Sequence, residues 1–240
     1  MADAACRALL GDLIDHAPLF PPASLSLEAA LADHRRARES QHGWVVRRFV
    51  CPASRLGELA GEPLALSVVL DEEVRLDDPR IEAIELPPDK EPEALAPETY
   101  AEIRPAADLS PLGARGLRVK VRCGGASVPS VASLANLVRR CREQGIPFKA
   151  TAGLHHPVRR DDSHGFLNLL AAAIFGHEEL ALAEEDEEAF RLSAHALAWR
   201  DRSASVEEIA HARKNVFVAF GSCSFSEPVE DLVSLGFLPA

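Results

Sequence analysis

Basic charge is scarce in this chain. Lysine and arginine number 26 against 37 acids, for a formal net charge of −11. Nucleic-acid binding is driven by clustered Lys and Arg, so that balance argues against a phosphate-backbone partner. Long apolar runs are missing too: none approaches the roughly 18 residues that a membrane-spanning helix needs, so no membrane partner is expected. The opening, "MADAACRALLGDLIDH", carries acids where a secretory signal has a basic region, and the cytoplasm is the expected compartment. Five cysteines, scattered and odd in number, fit reduced thiols better than a disulfide framework. Neither Cys-x-x-Cys nor His-Glu-x-x-His occurs, and no glycine-rich phosphate fingerprint follows the first strand-like run.

What the chain does have is material for a core. Hydrophobic residues make up 47% and charged residues 26%, a globular composition. Residues 1–240 read as one domain of ample size. Eight short runs read as strands: "LIDHAPLF", "GWVVRRFVCP", "LALSVVLD", "RIEAIELPP", "TYAEIRP", "LRVKVRCGG", "FKATAGLHH" and "NVFVAFGSCSF". Helical stretches lie between several of them. "SLSLEAALADHRRARES" is amphipathic behind a serine cap, "SVASLANLVRRCREQG" stops at Gly145, and Ser205 with Glu208 makes a capping box.

Eight strands with crossovers, in a chain near the usual length of about 250 residues, predict an α/β fold of the (β/α)8-barrel type. An open doubly wound sheet is the competitor. The links after the third, fourth and fifth strands ("DEEVRLDDPR", "PPDKEPEALAPET", "PAADLSPLGARG") are short or proline-rich and form helix poorly. Such thin cover predicts an open apolar flank, and with it a homodimer. The acidic "EEDEEAF" reads as a solvated helix face or loop.

Strand parity sorts the polar residues, because successive side chains face opposite sides. Leu117, Val119 and Val121 oppose Arg118, Lys120 and Arg122. Ala101 and Ile103 oppose Tyr100, Glu102 and Arg104. Phe148 and Ala150 oppose Lys149 and Thr151. With apolar faces on the outer helices, Glu102, Arg104, Lys120, Arg122, Lys149 and Thr151 line one inner wall. Two lysines and two arginines against one sure acid leave unpaired buried charge, which is costly. An anionic ligand or water-filled pocket is therefore expected, and a Lys149→Met chain is expected to stay folded. A structural salt-bridge network is the plainer alternative. Catalytic groups of such barrels sit at the C-terminal strand ends, where Lys120, Arg122, Lys149 and Thr151 lie.

In their order, five of these segments resemble the Schiff-base-forming, class I aldolases of the deoxyribose-phosphate aldolase type. "LIDHAPLFPPASL" is similar to that family's opening strand and "FVCPASRL" to its second. "VKVRCGG" looks like the strand whose lysine forms the Schiff base, "FKATAGLHHP" like the next lysine strand, and "AFGSCSF" like the last, with its Gly-Ser phosphate loop. The five pieces span most of the chain. The resemblance implies a carbon–carbon lyase with Lys120 as amine nucleophile and Lys149 as the neighbouring cation that lowers its pKa, without a cofactor. The substrate would be a small carbonyl compound bearing a carboxylate or phosphate. Glu102 would shuttle protons, with Glu85 or Asp15 as further options. Arg104, Arg122, Thr151, His155 and His156 would bind substrate, and Gly221 and Ser222 would offer backbone N–H groups to a phosphate.

The sequence also departs from the family. No clean counterpart of its fourth-strand aspartate stands in "IEAIELPP", where Ala83 or Glu85 falls near the place. Arg122 replaces a small residue and suits a carboxylate, while His155 and His156 replace a glycine and an anion-binding arginine. The same signatures are similar to those of bacterial proteins with no assigned activity. Two other functions stay open. Cys51, Cys123 and Cys223 share a rim with His155 and His156, a thiolate and imidazole set that suits zinc. A non-catalytic barrel that binds a small anion is the other. His164 and Asn168, one helical turn apart, could touch a ligand or cap their helix.

Overall fold

Alternation in the strand-like runs builds a closed sheet. The computed structural model describes residues 2–240 except 89, 92, 126 and 127. A short helix, α1 (Ala4–Leu10), leads into β1 (Ile14–His16), α2 (Leu27–Glu39), β2 (Val46–Pro52), β3 (Leu66–Val69), β4 (Ile81–Leu86) and β5 (Glu98–Glu102). Then come α3 (Ser110–Ala114), β6 (Arg118–Arg122), α4 (Val131–Gln144), β7 (Phe148–Thr151), α5 (Phe166–Phe175) and α6 (Glu178–Leu182). Three further strands, β8 (Phe190–Leu192), β9 (Ala196–Trp199) and β10 (Arg202–Ser205), precede α7 (Val206–Asn215), β11 (Phe217–Ser222) and α8 (Ser226–Ser234).

Seven consecutive strands and β11 form a parallel barrel in the order β1-β11-β7-β6-β5-β4-β3-β2, and β1 closes it by pairing with both β11 and β2. That closure rules out the open doubly wound sheet. The helices start and stop where their caps dictate. Ser26 and Ser130 accept backbone N–H bonds at the starts of α2 and α4. Gly145 ends α4 at φ 63°, a left-handed position that glycine takes without strain, and Ser205 and Glu208 cap α7 reciprocally. Helix α5 is apolar almost all round, because it is wedged between the barrel and its neighbours; Phe166 stacks on Phe220 of β11 with ring centroids 4.7 Å apart.

No helix joins β3 to β4 or β4 to β5 among the described residues, and α3 is only 5 residues long. The thin flank is nevertheless closed. Leu66, Val68, Ile84 and Leu86 are buried, and the coil residues Val74, Leu76, Leu95 and Ala96 pack over them. Among the described residues the large exposed hydrophobics are Val128 and Leu180 alone. The open apolar flank expected from the sequence is therefore absent there, and the argument for a homodimer loses its premise.

The acidic stretch 184–189 is coil and a single 3-10 turn, as a loop reading expects; the strands that follow it were not expected. Strands β8, β9 and β10 make an antiparallel sheet outside the barrel. At the opposite end from the strand C-termini, Glu98 gathers Arg47, Arg48 and Arg118 at 2.8–3.0 Å and accepts the Tyr100 hydroxyl. Arg213 of α7 is buried and donates to the carbonyls of Gly11, Asp12, Phe217 and Val218. Together they floor the barrel. No helix among the described residues is long and apolar enough to cross a membrane.

Candidate active site

The barrel register stacks the inward residues in layers. Glu102 lies opposite Lys120, and Lys120 opposite Lys149. One layer nearer the strand C-termini, Arg122 lies opposite Thr151, which lies opposite Gly221. Lys149 sits deepest and has no solvent exposure. Its Nζ is 2.5 Å from Asp15 Oδ2 and 2.6 Å from Glu85 Oε1, with the Tyr100 ring centroid 5.2 Å away. Lys120 Nζ is 2.9 Å from Glu85 Oε2 and 2.9 Å from Glu102 Oε2. Ser67 completes the Glu85 shell, donating to Oε1 at 2.8 Å. The result is one chain of contacts: Asp15, Lys149, Glu85, Lys120, Glu102.

This arrangement corrects two expectations. The interior is not short of acid, since Asp15 and Glu85 join Glu102 against the two lysines. Lys149, moreover, is no free cation waiting for a ligand; its partners belong to the protein. Burial acts to lower the Lys149 pKa, but the Asp15 and Glu85 charges outweigh it and hold the amine above its ordinary value. Burial likewise acts to raise Glu85, and the two lysines overcome it, so the carboxyl stays well below the usual range. On β4 it is thus Glu85, not Ala83, that meets the lysines. Ala83 faces inward one layer lower, beside Tyr100 and Val218.

A cavity of about 500 Å³ opens above this chain at the C-terminal strand ends. Lys120, Glu85 and Glu102 form its base; Arg122, Thr151, His155, Gly221, Ser222 and Cys223 line its sides, and Phe20, Pro21 and Pro22 close one edge. The walls owe their shape to glycine. The β6 and β7 loops touch through backbone: a Cβ on Gly124 would stand 2.6 Å from the Cα of Gly153, and one on Gly153 would stand 2.9 Å from the Cys123 carbonyl oxygen. Ala152 takes φ 61° and Gly153 φ 70° in that turn. For alanine that is strained backbone, held at the cavity wall.

Other residues singled out in the sequence lie elsewhere. Strand β5 stops at Glu102, so Arg104 stands beyond it, exposed and outside the cavity lining. His156 bonds Asp231 of α8 at 2.7 Å and does not line the cavity, whereas His155, bonded to Glu227 at 3.0 Å, does. His164 meets the Pro129 carbonyl, and Asn168 is consumed by the backbone of Arg159, Ala181 and Glu184. All five cysteines are free. Cys51 packs into the outer core, and burial pushes the thiols of Cys51 and Cys123 up to about 12. Among the described residues no three His, Cys, Asp or Glu side chains are grouped to hold a metal ion.

Asp15 and Glu85 were only options in the sequence, and Ser67 was not seen at all. The signal for Ser67 was its lone polar place between Leu66 and Val68 in a buried strand, on the inward face. Compared with known proteins, the chain matches no family model, no curated protein and no solved structure.

Proposed function

We propose that the barrel is an aldolase-like lyase that binds a small carbonyl compound bearing a carboxylate or phosphate through an imine on Lys120. One observation carries the reading. Among the described residues Lys120 is the lysine at the cavity, and its amine is held between two carboxylates.

The chemistry that this supports keeps charge constant. Lys120 passes a proton to Glu102, the outer of its two carboxylates, while Glu85 is held ionised by the two lysines. The freed amine attacks the substrate carbonyl carbon, forming the C–N bond, and Glu102 returns its proton to the oxygen. A second proton, given up by the nitrogen and carried over by the same carboxylate, lets that oxygen leave as water as the C=N bond forms. An iminium replaces an ammonium between the same two carboxylates, so no charge is created in a buried site. From a β-hydroxy substrate, Glu102, again a carboxylate, takes the hydroxyl proton. The O–H electrons form the new carbonyl, the carbon–carbon bond breaks, and that bond's electron pair moves into the iminium to give an enamine. Protonation and hydrolysis release the second product. Lys149 serves as a positioning residue, fixing Glu85 from below.

A second reading has its own support. Each lysine amine already meets two carboxylates, as in a structural ion network, and such a barrel would bind a small anion without turnover. Borohydride separates the two. With a panel of small aldehydes, ketones and 2-oxo acids at neutral pH, the lyase reading expects a reduced adduct on Lys120 that is absent from a Lys120→Ala chain. Labelling confined to exposed lysines would remove it and leave the anion binder.

A further inference from the structure

The layer above the two lysines holds two groups that the reaction outlined above does not use. Arg122 lies on the strand of Lys120, two residues on and on the same face, and lines the cavity. Among the described residues no carboxylate or carbonyl bonds its guanidinium. Its Nη2 lies 3.1 Å from where a Cβ on Gly125 would stand, so glycine there leaves the fork its room. Thr151 lies directly opposite in the register and also lines the cavity. Its hydroxyl oxygen is buried and has no hydrogen-bond partner among the described residues. An unmet buried hydroxyl is unfavourable, and the natural partner of an unpaired guanidinium is a carboxylate taken two-pronged.

Distance chooses between the two anions left open so far. Two residues along a strand span about 6.6 Å. An imine carbon on Lys120 Nζ carries a 2-oxo acid's carboxylate on the adjoining carbon, at the wall that Arg122 and Thr151 line. The phosphate of a phosphate ester hangs several bonds further from the carbonyl.

We infer that the carbonyl substrate is a 2-oxo acid, its carboxylate clamped by the Arg122 guanidinium and the Thr151 hydroxyl while its C2 carbon bonds Lys120. The inference rests on the amine reading above and narrows it. Specificity follows: the clamp favours a carboxylate next to the carbonyl over a hydrogen or a phosphorylated arm at that place.

The test compares adduct yields. The whole chain is treated with borohydride and, separately, a concentration series of pyruvate, acetaldehyde or dihydroxyacetone phosphate, and the concentration giving half-occupancy of Lys120 is read by peptide mass. Pyruvate is expected to label at roughly tenfold to a hundredfold lower concentration than either other compound, the worth of a charge-assisted pair. In Arg122→Met the pyruvate-to-acetaldehyde ratio collapses toward one, in Arg122→Lys it falls part of the way, and in Thr151→Val it falls less. Circular dichroism of each variant checks folding, and Arg122 is exposed enough for replacement to leave the core intact. Lys120 labelled equally by all three, or best by dihydroxyacetone phosphate, overturns the 2-oxo acid alone. A ratio untouched by Arg122→Met also overturns it. No adduct on Lys120 with any compound overturns the amine reading and this inference together.

Discussion

Asp15 and Lys149, 134 residues apart in the chain, meet at 2.5 Å with neither side chain exposed. They sit on β1 and β7, which are not paired with each other; β11 runs between them. Ala219 and Gly221 stand opposite Lys149 and Thr151 on that intervening strand, and residues so small leave the lysine room to reach across.

Lys149→Met is therefore expected to destabilise the fold, the opposite of the expectation from the sequence. It strands Asp15 and leaves Glu85 with one lysine, and removing one partner of a buried pair costs about 3–5 kcal/mol. The urea midpoint is expected to fall accordingly. Asp15→Asn combined with Lys149→Met should cost less than the two changes summed, because the second removes a charge already orphaned. Simple additivity in that cycle would show that the pair is not coupled.

Acid sensitivity has a separate source on the outside of the barrel. His16 and His34 stack with centroids 5.5 Å apart, Nδ1 to Nδ1 at 3.3 Å, with Asp33 3.4 Å from His16 and Phe49 edge-on to His34. Burial, only partly offset by Asp33, holds His16 at about 4, and burial with the charges of His16 and Arg38 holds His34 at about 3, against 6.5 for a free ring. As pH falls below about 6.5, the unfolded chain takes up protons that the folded one refuses. Stability is thus full above that pH and is lost progressively down to the folded values. Glu98, held at about 2 by its arginines despite burial, adds a loss of its own only below 4.5. Urea midpoints at pH 7 and pH 5 should differ, and His34→Phe should flatten the difference; equal slopes in both chains would dismiss the histidine pair.

How much of this was legible depends on the strand. Lys120, Lys149 and Glu102 could be read because three successive strands alternate cleanly, so parity alone puts them on one wall. Choosing Glu85 over Ala83 was beyond parity, since both face inward. Only the stagger of the closed barrel decides which layer of β4 meets the lysines, and no single strand encodes stagger. Asp15 lies on a three-residue strand buried on both faces, where no alternation exists to read. The β8–β10 sheet escaped for another reason. Its second hairpin turns at Arg200 and Asp201 without glycine, and Arg200 itself takes φ 53°.

The floor of the barrel should be sensitive to a residue far from the cavity. Arg213→Met removes the donors shared by four backbone carbonyls at the base of β1 and β11. Leaving buried acceptors unmet costs about 1–3 kcal/mol. A thermal melt should drop by several degrees, roughly 2–4 °C per kcal/mol at this chain length. An unchanged melt would mean that water replaces the guanidinium there.

Gly124→Ala places a methyl 2.6 Å from the Gly153 Cα and is expected to cost about 1–3 kcal/mol through forced backbone shifts. Gly57→Ala is the control, since nothing lies within 4 Å of its Cβ, and it should stay within about 0.5 kcal/mol of the parent. Matching melts for the two variants would show that the loops yield freely.

That same backbone contact limits how the protein can be remodelled. In most barrels each strand-to-helix loop can be lengthened or exchanged by itself, and new activities arise by such piecemeal editing. Here the loops after β6 and β7 meet at Gly124 and Gly153, and a graft that replaces either glycine brings a side chain into the other loop's main chain. Anyone wishing to change what the cavity accepts would have to replace both together, or work from β11 and the proline-rich edge, where no such lock holds.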